Sequence, residues 1–259
     1  MKLGFVGCGN MGEAILAGNY KKHSCLVCEP RAERRAYLKK KFKVSSCSLA
    51  ELLANCEVIL LAVKPQDFPA LLADIAGQPF KGKLFVSIAA GIRTAFLEQS
   101  LRSARVVRVM PNLPAMIGEG VSAVCRGRSA SVKDLALVQD IFSGVGISLV
   151  LKESQMDAVT AVSGSGPGYI FLVAECMITA ARDLGFTEKE ARTLVQGTLT
   201  GSSRLLAGSK DSAAGLRAMV TSKGGTTQAA MDVFMAGGMP ALFVSAMTAA
   251  RDRAKELAR

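Results

Sequence analysis

The chain has 259 residues, half of them apolar and 20% charged, and its formal net charge is +11. This composition predicts a folded protein with a sizeable core and excludes a disordered chain. The only histidine, His23, excludes a site with several histidine ligands, and we predict no metal site. Seven scattered cysteines predict free thiols and a cytoplasmic location. No run reaches the ~18 uncharged apolar residues of a membrane helix, so we predict no membrane association.

The first part of the chain alternates short apolar runs with amphipathic stretches. The runs predict strands at Leu3–Val6, Cys25–Cys28, Val58–Val63, Leu84–Ile88, Val106–Met110, Val121–Val124 and Ile147–Leu151. The stretches between them predict helices at Met11–Asn19, Ala32–Lys41 and Val132–Phe142. Continuous apolar strands separated by helices are typical of a parallel sheet covered on both faces. We therefore predict an α/β domain over residues 1–152, with a doubly wound sheet of the Rossmann type.

The pattern changes near Lys152, after which we find no convincing strand. Helices are predicted at Asp157–Val162, Gly168–Leu184, Glu188–Leu206, Thr226–Met235 and Pro240–Leu257. These helices carry little charge and need burial on more than one side. The sequence therefore predicts an all-α dimerisation domain over residues 153–259 and a homo-oligomer.

A glycine-rich turn follows the first predicted strand and opens the first predicted helix. Its pattern is Gly7-x-Gly9-x-x-Gly12, with Asn10 and Met11 between the last two glycines. In that context the first glycine permits a tight turn, the second admits a pyrophosphate, and the third lets helix and strand pack closely. We predict that this turn binds a dinucleotide.

The end of the second strand carries opposite signals for the choice of dinucleotide. Glu29 is placed to accept hydrogen bonds from the ribose hydroxyls of NAD, whereas the neighbouring Arg31, Arg34 and Arg35 could hold the 2′-phosphate of NADP. The sequence leaves NADPH and NADH open. Nine Lys or Arg residues lie in this segment, between residues 20 and 43, so the basic charge surrounds the predicted cofactor site. With aromatic residues at only 5%, we predict no nucleic-acid partner.

Further site residues are expected at the carboxyl ends of the other strands, where ligands of such sheets bind. These cofactor candidates are Ala62, Val63, Lys64, Pro65, Ala89, Ala90 and Asn112. Two clusters of glycine and hydroxyl residues precede helices in the second half, at Ser163–Gly168 and Thr221–Thr227. Each would offer backbone N–H groups to an anion such as a carboxylate.

Five stretches together resemble the pyrroline-5-carboxylate reductase family. They are Gly7–Gly12, Ala62–Pro65, Arg108–Asn112, Asp157–Tyr169 and Val220–Thr227. The resemblance covers nearly the whole chain and implies NAD(P)H-dependent reduction of the cyclic imine 1-pyrroline-5-carboxylate to L-proline, the last step of proline biosynthesis. It also implies a homodimer with an interleaved helical domain, and in some members decamers.

The resemblance implies roles for one loop of the helical domain. Its residues Ser222, Gly224, Gly225, Thr226 and Thr227 would bind the substrate, and the Thr227 hydroxyl would act in catalysis by approaching the ring nitrogen. A protonated imine accepts hydride without a strong protein acid, so the scarcity of histidine is no obstacle. Lys223 stands where the family usually has proline.

Two alternatives stay open from the sequence. The chain could be a related enzyme of the same architecture, either a reductase for another imine or an oxidoreductase like the β-hydroxyacid dehydrogenases. It could also be a non-catalytic nucleotide-binding protein. A β-hydroxyacid dehydrogenase would want a lysine in the first long helix of the second domain, and Gly168–Leu184 contains none.

Overall fold

A computed structural model describes residues 1–258, and within them the chain forms eight strands and twelve α-helices. The strands are β1 (Lys2–Val6), β2 (Ser24–Cys28), β3 (Ser45–Ser46), β4 (Val58–Leu61), β5 (Leu84–Ser87), β6 (Arg105–Met110), β7 (Gly120–Arg126) and β8 (Gly146–Val150). The helices among them are α1 (Asn10–Asn19), α2 (Ala32–Phe42), α3 (Leu49–Asn55), α4 (Phe68–Ala76), α5 (Thr94–Ser100) and α6 (Val132–Ser143). Helices alone follow: α7 (Met156–Val159), α8 (Gly166–Asp183), α9 (Glu188–Gly208), α10 (Ala213–Met219), α11 (Thr226–Ala236) and α12 (Met239–Glu256).

One sheet contains all eight described strands, in the order β3-β2-β1-β4-β5-β6-β7-β8. Every neighbouring pair is parallel except β6 and β7. The chain runs from β1 outward to β3 and then returns to the other side of β1 with β4, so the strand order reverses between β1 and β4. Such a reversal opens a crevice at the carboxyl ends of the strands, which is where this architecture binds ligands.

Apolar side chains on both faces of the sheet explain why helices cover it twice. Leu3 and Phe5 point to one face, where they pack with residues of α1, α2 and α6. Val6 points to the other face, with Ile59, and packs with residues of α3, α4 and α5. Every residue of β4 and β5 is buried, as a doubly covered parallel sheet requires. The predicted doubly wound sheet, followed by helices, is confirmed.

Capping boxes start two of the helices that the sequence predicts. At α6 the Ser131 hydroxyl accepts a hydrogen bond from the Asp134 N–H, while the Asp134 carboxylate accepts one from the Ser131 N–H. Thr187 and Glu190 do the same at α9. Each box satisfies backbone donors that the first turn of a helix leaves free, which explains why these two starts are readable from sequence.

Several short elements lie outside the sequence prediction. The helices α3, α4, α5 and α10 have seven to nine residues and too few turns for a clear apolar period. The strand β3 has two residues. The antiparallel pairing of β7 with β6 was not predicted either. Whether two strands pair parallel or antiparallel depends on how the chain connects them and not on the residues of the strand itself.

The described chain divides into two compact units. The first contains Met1–Ser165 together with the end of the chain from Ala249, and the second contains Gly166–Thr248. The sheet and its covering helices belong to the first unit, and α8 to α11 belong to the second. The functional boundary expected after residue 152 stays a prediction.

Candidate active site

The glycine-rich turn joins β1 to α1 with the geometry that a bound pyrophosphate needs. Gly7 has a φ of +74°, and a Cβ there would lie 2.8 Å from Val63 Cγ1. A Cβ on Gly12 would lie 3.2 Å from Ala62 Cβ, so helix and strand pack against each other without a side chain. A Cβ on Gly9 would meet no described atom within 4 Å, which leaves open space over the start of α1. The three glycines therefore fit the separate tasks that dinucleotide binding assigns to them.

The start of α1 presents backbone donors to that open space. Gly9 is the N-cap residue and offers no side-chain cap to the first turn. Asn10 is exposed, and Met11 is partly buried against the core. The uncapped N–H groups, combined with the positive end of the helix dipole, favour a phosphate.

Glu29 follows β2 and reaches back to this turn. Its Oε2 accepts a hydrogen bond from the Cys8 N–H at 3.0 Å, and its Oε1 pairs with Arg31 Nε at 2.7 Å. Burial alone would raise the pKa of Glu29, but the hydrogen bonds from Arg31 and Cys8 outweigh it and lower the pKa. An ionised carboxylate thus lies beside the turn, at the position where an acidic residue of this fold can accept hydrogen bonds from ribose hydroxyls.

A second arginine, which lies on α2, donates hydrogen bonds to the backbone of the glycine-rich turn. Arg34 Nε donates to the Cys8 carbonyl at 2.7 Å, and its Nη2 donates to the Gly9 carbonyl and to Glu13 of α1. Burial raises the pKa of the Cys8 thiol to about 12, so this cysteine is a neutral thiol that packs inside the turn. The contacts of Glu13 and this use of Arg34 were not predictable from the sequence, because no local pattern indicates a contact between α1 and α2.

The remaining cofactor candidates lie at the carboxyl ends of β4, β5 and β6. Ala62 and Val63 follow β4 beside the glycine turn, while Lys64 and Pro65 are exposed. Ala89 is buried and Ala90 is exposed directly after β5. The sheet order places β4 next to β1 and β5 next to β4, so these residues lie at the same end of the sheet as the glycine turn.

Asn112 follows β6 and is engaged in the fold. Its Oδ1 accepts a hydrogen bond from the Val121 N–H at 2.8 Å, and the residue is buried. This bond ties the end of β6 to the start of β7. A contact between Asn112 and the cofactor stays a prediction.

The predicted substrate loop, Ser222–Thr227, forms a tight turn that leads into α11. Gly225 N–H donates to the Ser222 carbonyl, and Gly224 has a φ of +72°. Gly225 is the N-cap of α11 and supplies no side chain, so the first turn of the helix is uncapped at Thr226 and Thr227. Because no side chain occupies these donors, the turn can bind a carboxylate.

The other glycine and serine cluster is more helical than the sequence suggests. A π-helical turn covers Thr160–Gly164, and α8 begins at Gly166, two residues before the predicted start. The Ser165 N–H donates to the Thr160 carbonyl, and the Ser163 hydroxyl donates to the Val159 carbonyl. The helical structure therefore begins earlier than predicted at this cluster, and the anion site expected there stays a prediction.

An ion pair between the buried Arg108 of β6 and the partly exposed Glu153 was not predicted from the sequence. Arg108 is 1% exposed and its Nη1 donates to Glu153 Oε1 at 2.6 Å. The Cys125 thiol donates to Glu153 Oε2, and Arg108 Nε and Nη2 have no hydrogen-bond partner among the described residues. This pair connects the sheet to the segment that leads into the helices.

The helical region carries unusually apolar exposed surface. The helical stretch Glu153–Asp183 contains an 18-residue window with a mean hydropathy of 1.3, which is long and apolar enough to cross a membrane, and 6% of that window is buried. Phe171 and Leu172 of α8 are 58% and 59% exposed. Exposed apolar surface of this extent also marks a surface that contacts another protein.

Comparisons with known proteins identify both parts of the chain. The family described as pyrroline-5-carboxylate reductase dimerisation matches residues 153–257. The family described as NADP oxidoreductase, coenzyme F420-dependent, matches residues 2–91. A pyrroline-5-carboxylate reductase of Pseudomonas aeruginosa is 39% identical, over 99% of this chain and 97% of its own.

Two solved structures resemble the whole chain. A pyrroline-5-carboxylate reductase from Coxiella burnetii has a TM-score of 0.93 and 32% identity, over 99% of this chain and 98% of its own. The Plasmodium falciparum pyrroline carboxylate reductase, crystallised with NADP bound, has a TM-score of 0.88 and 30% identity, over 100% of this chain and 98% of its own. The expected activity and nicotinamide cofactor are confirmed. This chain belongs to the pyrroline-5-carboxylate reductase family, whose reaction is the NAD(P)H-dependent reduction of 1-pyrroline-5-carboxylate to L-proline.

Proposed function

We propose that the first unit binds the reduced dinucleotide on the Gly7–Gly12 turn and that the loop Ser222–Thr227 binds the carboxylate of 1-pyrroline-5-carboxylate. The uncapped start of α11 carries this proposal, because its backbone N–H groups have no side-chain partner at the N-cap. Ser222, Gly224 and Gly225 form the turn that exposes those donors. Lys223 is exposed beside them and adds a positive charge that favours an anionic substrate.

Thr227 has the catalytic role in this proposal. Its hydroxyl holds the protonated ring nitrogen, which keeps the imine carbon electrophilic. The bound dinucleotide supplies the hydride. One hydride and one proton convert the C=N bond to the C–N bond of L-proline, so the protein needs to orient the ring and not to provide a strong acid.

The exchange Thr227→Ala tests this role. Losing a hydrogen bond to a charged group lowers kcat about tenfold to a hundredfold. The dissociation constant of the dinucleotide stays unchanged, because the Gly7–Gly12 turn is intact. Thr227→Ser restores most of the turnover. As a matched control, Thr198→Ala removes a hydroxyl that bonds to the Leu194 carbonyl within α9 and leaves kcat at the wild-type value. Full turnover in Thr227→Ala would remove Thr227 from the mechanism.

Because Lys223 replaces the usual proline of the substrate loop, the ring size of the cyclic imine substrate needs a separate test. We propose the five-membered imine as the preferred substrate. Initial rates with the five-membered and the six-membered cyclic imino acids, each with NADH and with NADPH, measure the preference. A higher kcat/KM for the six-membered ring would assign the chain to a related imine reduction.

The working form in this proposal is a cytoplasmic homodimer. The match of residues 153–257 to a dimerisation family and the exposed apolar residues of α8 support the dimer. All seven cysteines are free thiols, which suits a reducing compartment. Further assembly into decamers is a prediction that light scattering of the purified protein tests.

A further inference from the structure

Two cysteines of the first unit lie side by side on neighbouring strands. The sheet register pairs Val27 of β2 with Ser46 of β3. The next residues along these parallel strands, Cys28 and Cys47, therefore lie opposite each other. The Cys47 N–H donates to the Val27 carbonyl at 3.0 Å, which continues the ladder as far as this pair. Both cysteines pack against the same apolar cluster, so their side chains lie on one face of the sheet.

These two thiols are also more accessible than the other thiols nearby. Cys28 and Cys47 are free and half-buried, whereas Cys25 is 8% exposed and Cys56 is fully buried. Burial raises the pKa of Cys47 to about 11, and the neighbouring Cys28 and then Cys56 add to this effect. Burial also raises the pKa of Cys28. Because the thiolate is the reactive form, the pair stays reduced under ordinary conditions and reacts when an oxidant is in excess.

The spacing of the two strands suits a strained disulfide. Neighbouring strands lie about 4.8 Å apart, which falls within the roughly 4.4–6.8 Å between the Cα atoms of disulfide-bonded cysteines. Side chains of a directly opposed pair stand nearly parallel, so their Cβ atoms are farther apart than the roughly 3.8 Å of a relaxed disulfide. Forming the bond therefore draws the two strand ends together, and the strain makes the bond easy to reduce.

The position of Cys47 is fixed by the helix that follows it. Ser48 is the N-cap of α3 and forms a capping box with Glu51. A Cβ on Gly4 would lie 2.5 Å from Leu52 Cδ2, so α3 packs directly on β1 and has no room to move inward. The displacement that a disulfide requires therefore falls on the end of β2.

The end of β2 holds the dinucleotide turn in place. The Cys28 carbonyl accepts a hydrogen bond from the Gly7 N–H at 2.8 Å. Glu29, the next residue, accepts a hydrogen bond from the Cys8 N–H at 3.0 Å. A displacement of Cys28 therefore acts on two bonds that shape the backbone of the turn.

We propose that a hydroperoxide joins Cys28 and Cys47 in a reversible disulfide and that this bond weakens dinucleotide binding at the Gly7–Gly12 turn. One thiolate attacks hydrogen peroxide and gives a sulfenic acid and hydroxide, which takes up the proton that the thiol has lost. The second thiol then displaces the sulfenic hydroxyl as water. In total, two thiols and one hydrogen peroxide give one disulfide and two waters, so the sulfur atoms are oxidised and the peroxide is reduced. A dithiol reverses the step by thiol–disulfide exchange.

Mass spectrometry of the full-length protein after treatment with hydrogen peroxide tests the bond itself. We expect a peptide pair joined through Cys28 and Cys47 that disappears after treatment with dithiothreitol. Cleavage after Glu51 separates Cys47 from Cys56, and fragmentation of the linked peptides distinguishes Cys28 from Cys25. Oxidised protein without this linkage, or with Cys47 joined to Cys56 instead, would overturn the proposal.

Fluorescence titration with NADH and NADPH measures the consequence for the site. This regulation rests on the proposed function, since the affected site is the proposed dinucleotide site. Weakening a backbone hydrogen bond of the turn should raise both dissociation constants about fivefold to tenfold after peroxide, and dithiothreitol should restore them. Unchanged constants in the disulfide-bonded protein would overturn the regulation and leave the proposed function intact. Reduced protein that binds neither dinucleotide would overturn both.

Single-cysteine variants assign the effect to the pair. Cys47→Ser should bind both dinucleotides like the reduced wild type, with or without peroxide. Cys28→Ser should likewise show no change on addition of peroxide. Cys176→Ser removes the exposed thiol of α8 and is the matched control, which should respond to peroxide like the wild type. A response of Cys47→Ser as large as that of the wild type would overturn the assignment.

Discussion

At the residue scale, the pair of Arg108 and Glu153 makes a clear prediction for stability. Glu153→Gln leaves a charged guanidinium buried without its counter-ion, and the free energy of unfolding at pH 7 should fall by about 3 kcal/mol. Urea denaturation measures the change. Glu57→Gln, at an exposed carboxylate, should stay within about 0.5 kcal/mol of the wild type. Equal stability of the two variants would mean that the pair contributes nothing.

The same pair predicts a dependence on pH. Burial opposes the charge of Glu153, but the bonds from Arg108 more than compensate and lower its pKa below 4.5. A carboxyl group with a depressed pKa contributes stability that is present above its unfolded pKa and is lost as the pH falls through its folded pKa. The difference between the wild type and Glu153→Gln should therefore be full near pH 7 and shrink below about pH 4.5. A difference that stays constant down to pH 3 would contradict this linkage.

The residues also show where prediction from sequence stops. The roles of Gly7, Gly9 and Gly12 are readable because one short turn contains the whole pattern. The partners Arg108 and Glu153 lie 45 positions apart, and no periodicity joins them. Likewise, Arg34 reaches the Cys8 carbonyl only because β1 and β2 are neighbours in the sheet. Local motifs were therefore predictable, whereas ion pairs formed by the tertiary fold were not.

At the element scale, long periodic segments were predicted and short ones were not. The helices α6 and α9 have capping boxes and several turns, and their starts match the prediction. The helices α3 and α5 have seven residues each, which is less than two full turns of periodic signal. Tertiary packing rather than intrinsic pattern stabilises such short helices.

The contact between α1 and the end of α6 gives a prediction at this scale. A Cβ on Gly18 would lie 2.5 Å from the Gly144 carbonyl oxygen, so the two backbones touch where neither residue has a side chain. Gly18→Ala should lower the free energy of unfolding by about 1–3 kcal/mol through overpacking, although alanine favours a helix. Gly77→Ala is the control, because its Cβ would meet only ordinary contacts at 3.7 Å. Urea denaturation of both variants measures the two changes in the free energy of unfolding. A Gly18→Ala protein more stable than the wild type would show that α1 can shift to accommodate the added methyl group.

At the scale of the whole molecule, charge and apolar surface are distributed unevenly. The basic excess lies in residues 20–43, around the dinucleotide turn, where it can attract an anionic cofactor. Exposed apolar residues are frequent in the second unit, where α8 has no buried residue. We therefore expect a second chain to cover this surface, because burial of apolar area is the main gain from association.

The dimer is the last prediction and depends on that surface. Phe171→Glu introduces a carboxylate into α8 at a side chain that we expect a second copy to cover. Burying an unpaired charge is costly, so the dimer should dissociate and the mass in solution should move toward the 27.2 kDa of one chain. Val132→Glu is the control, since Val132 is 72% exposed at the start of α6, where an acid suits the helix dipole. Sedimentation velocity at micromolar concentration separates the outcomes. A Phe171→Glu protein with the wild-type mass would place the subunit contact elsewhere than this face of α8.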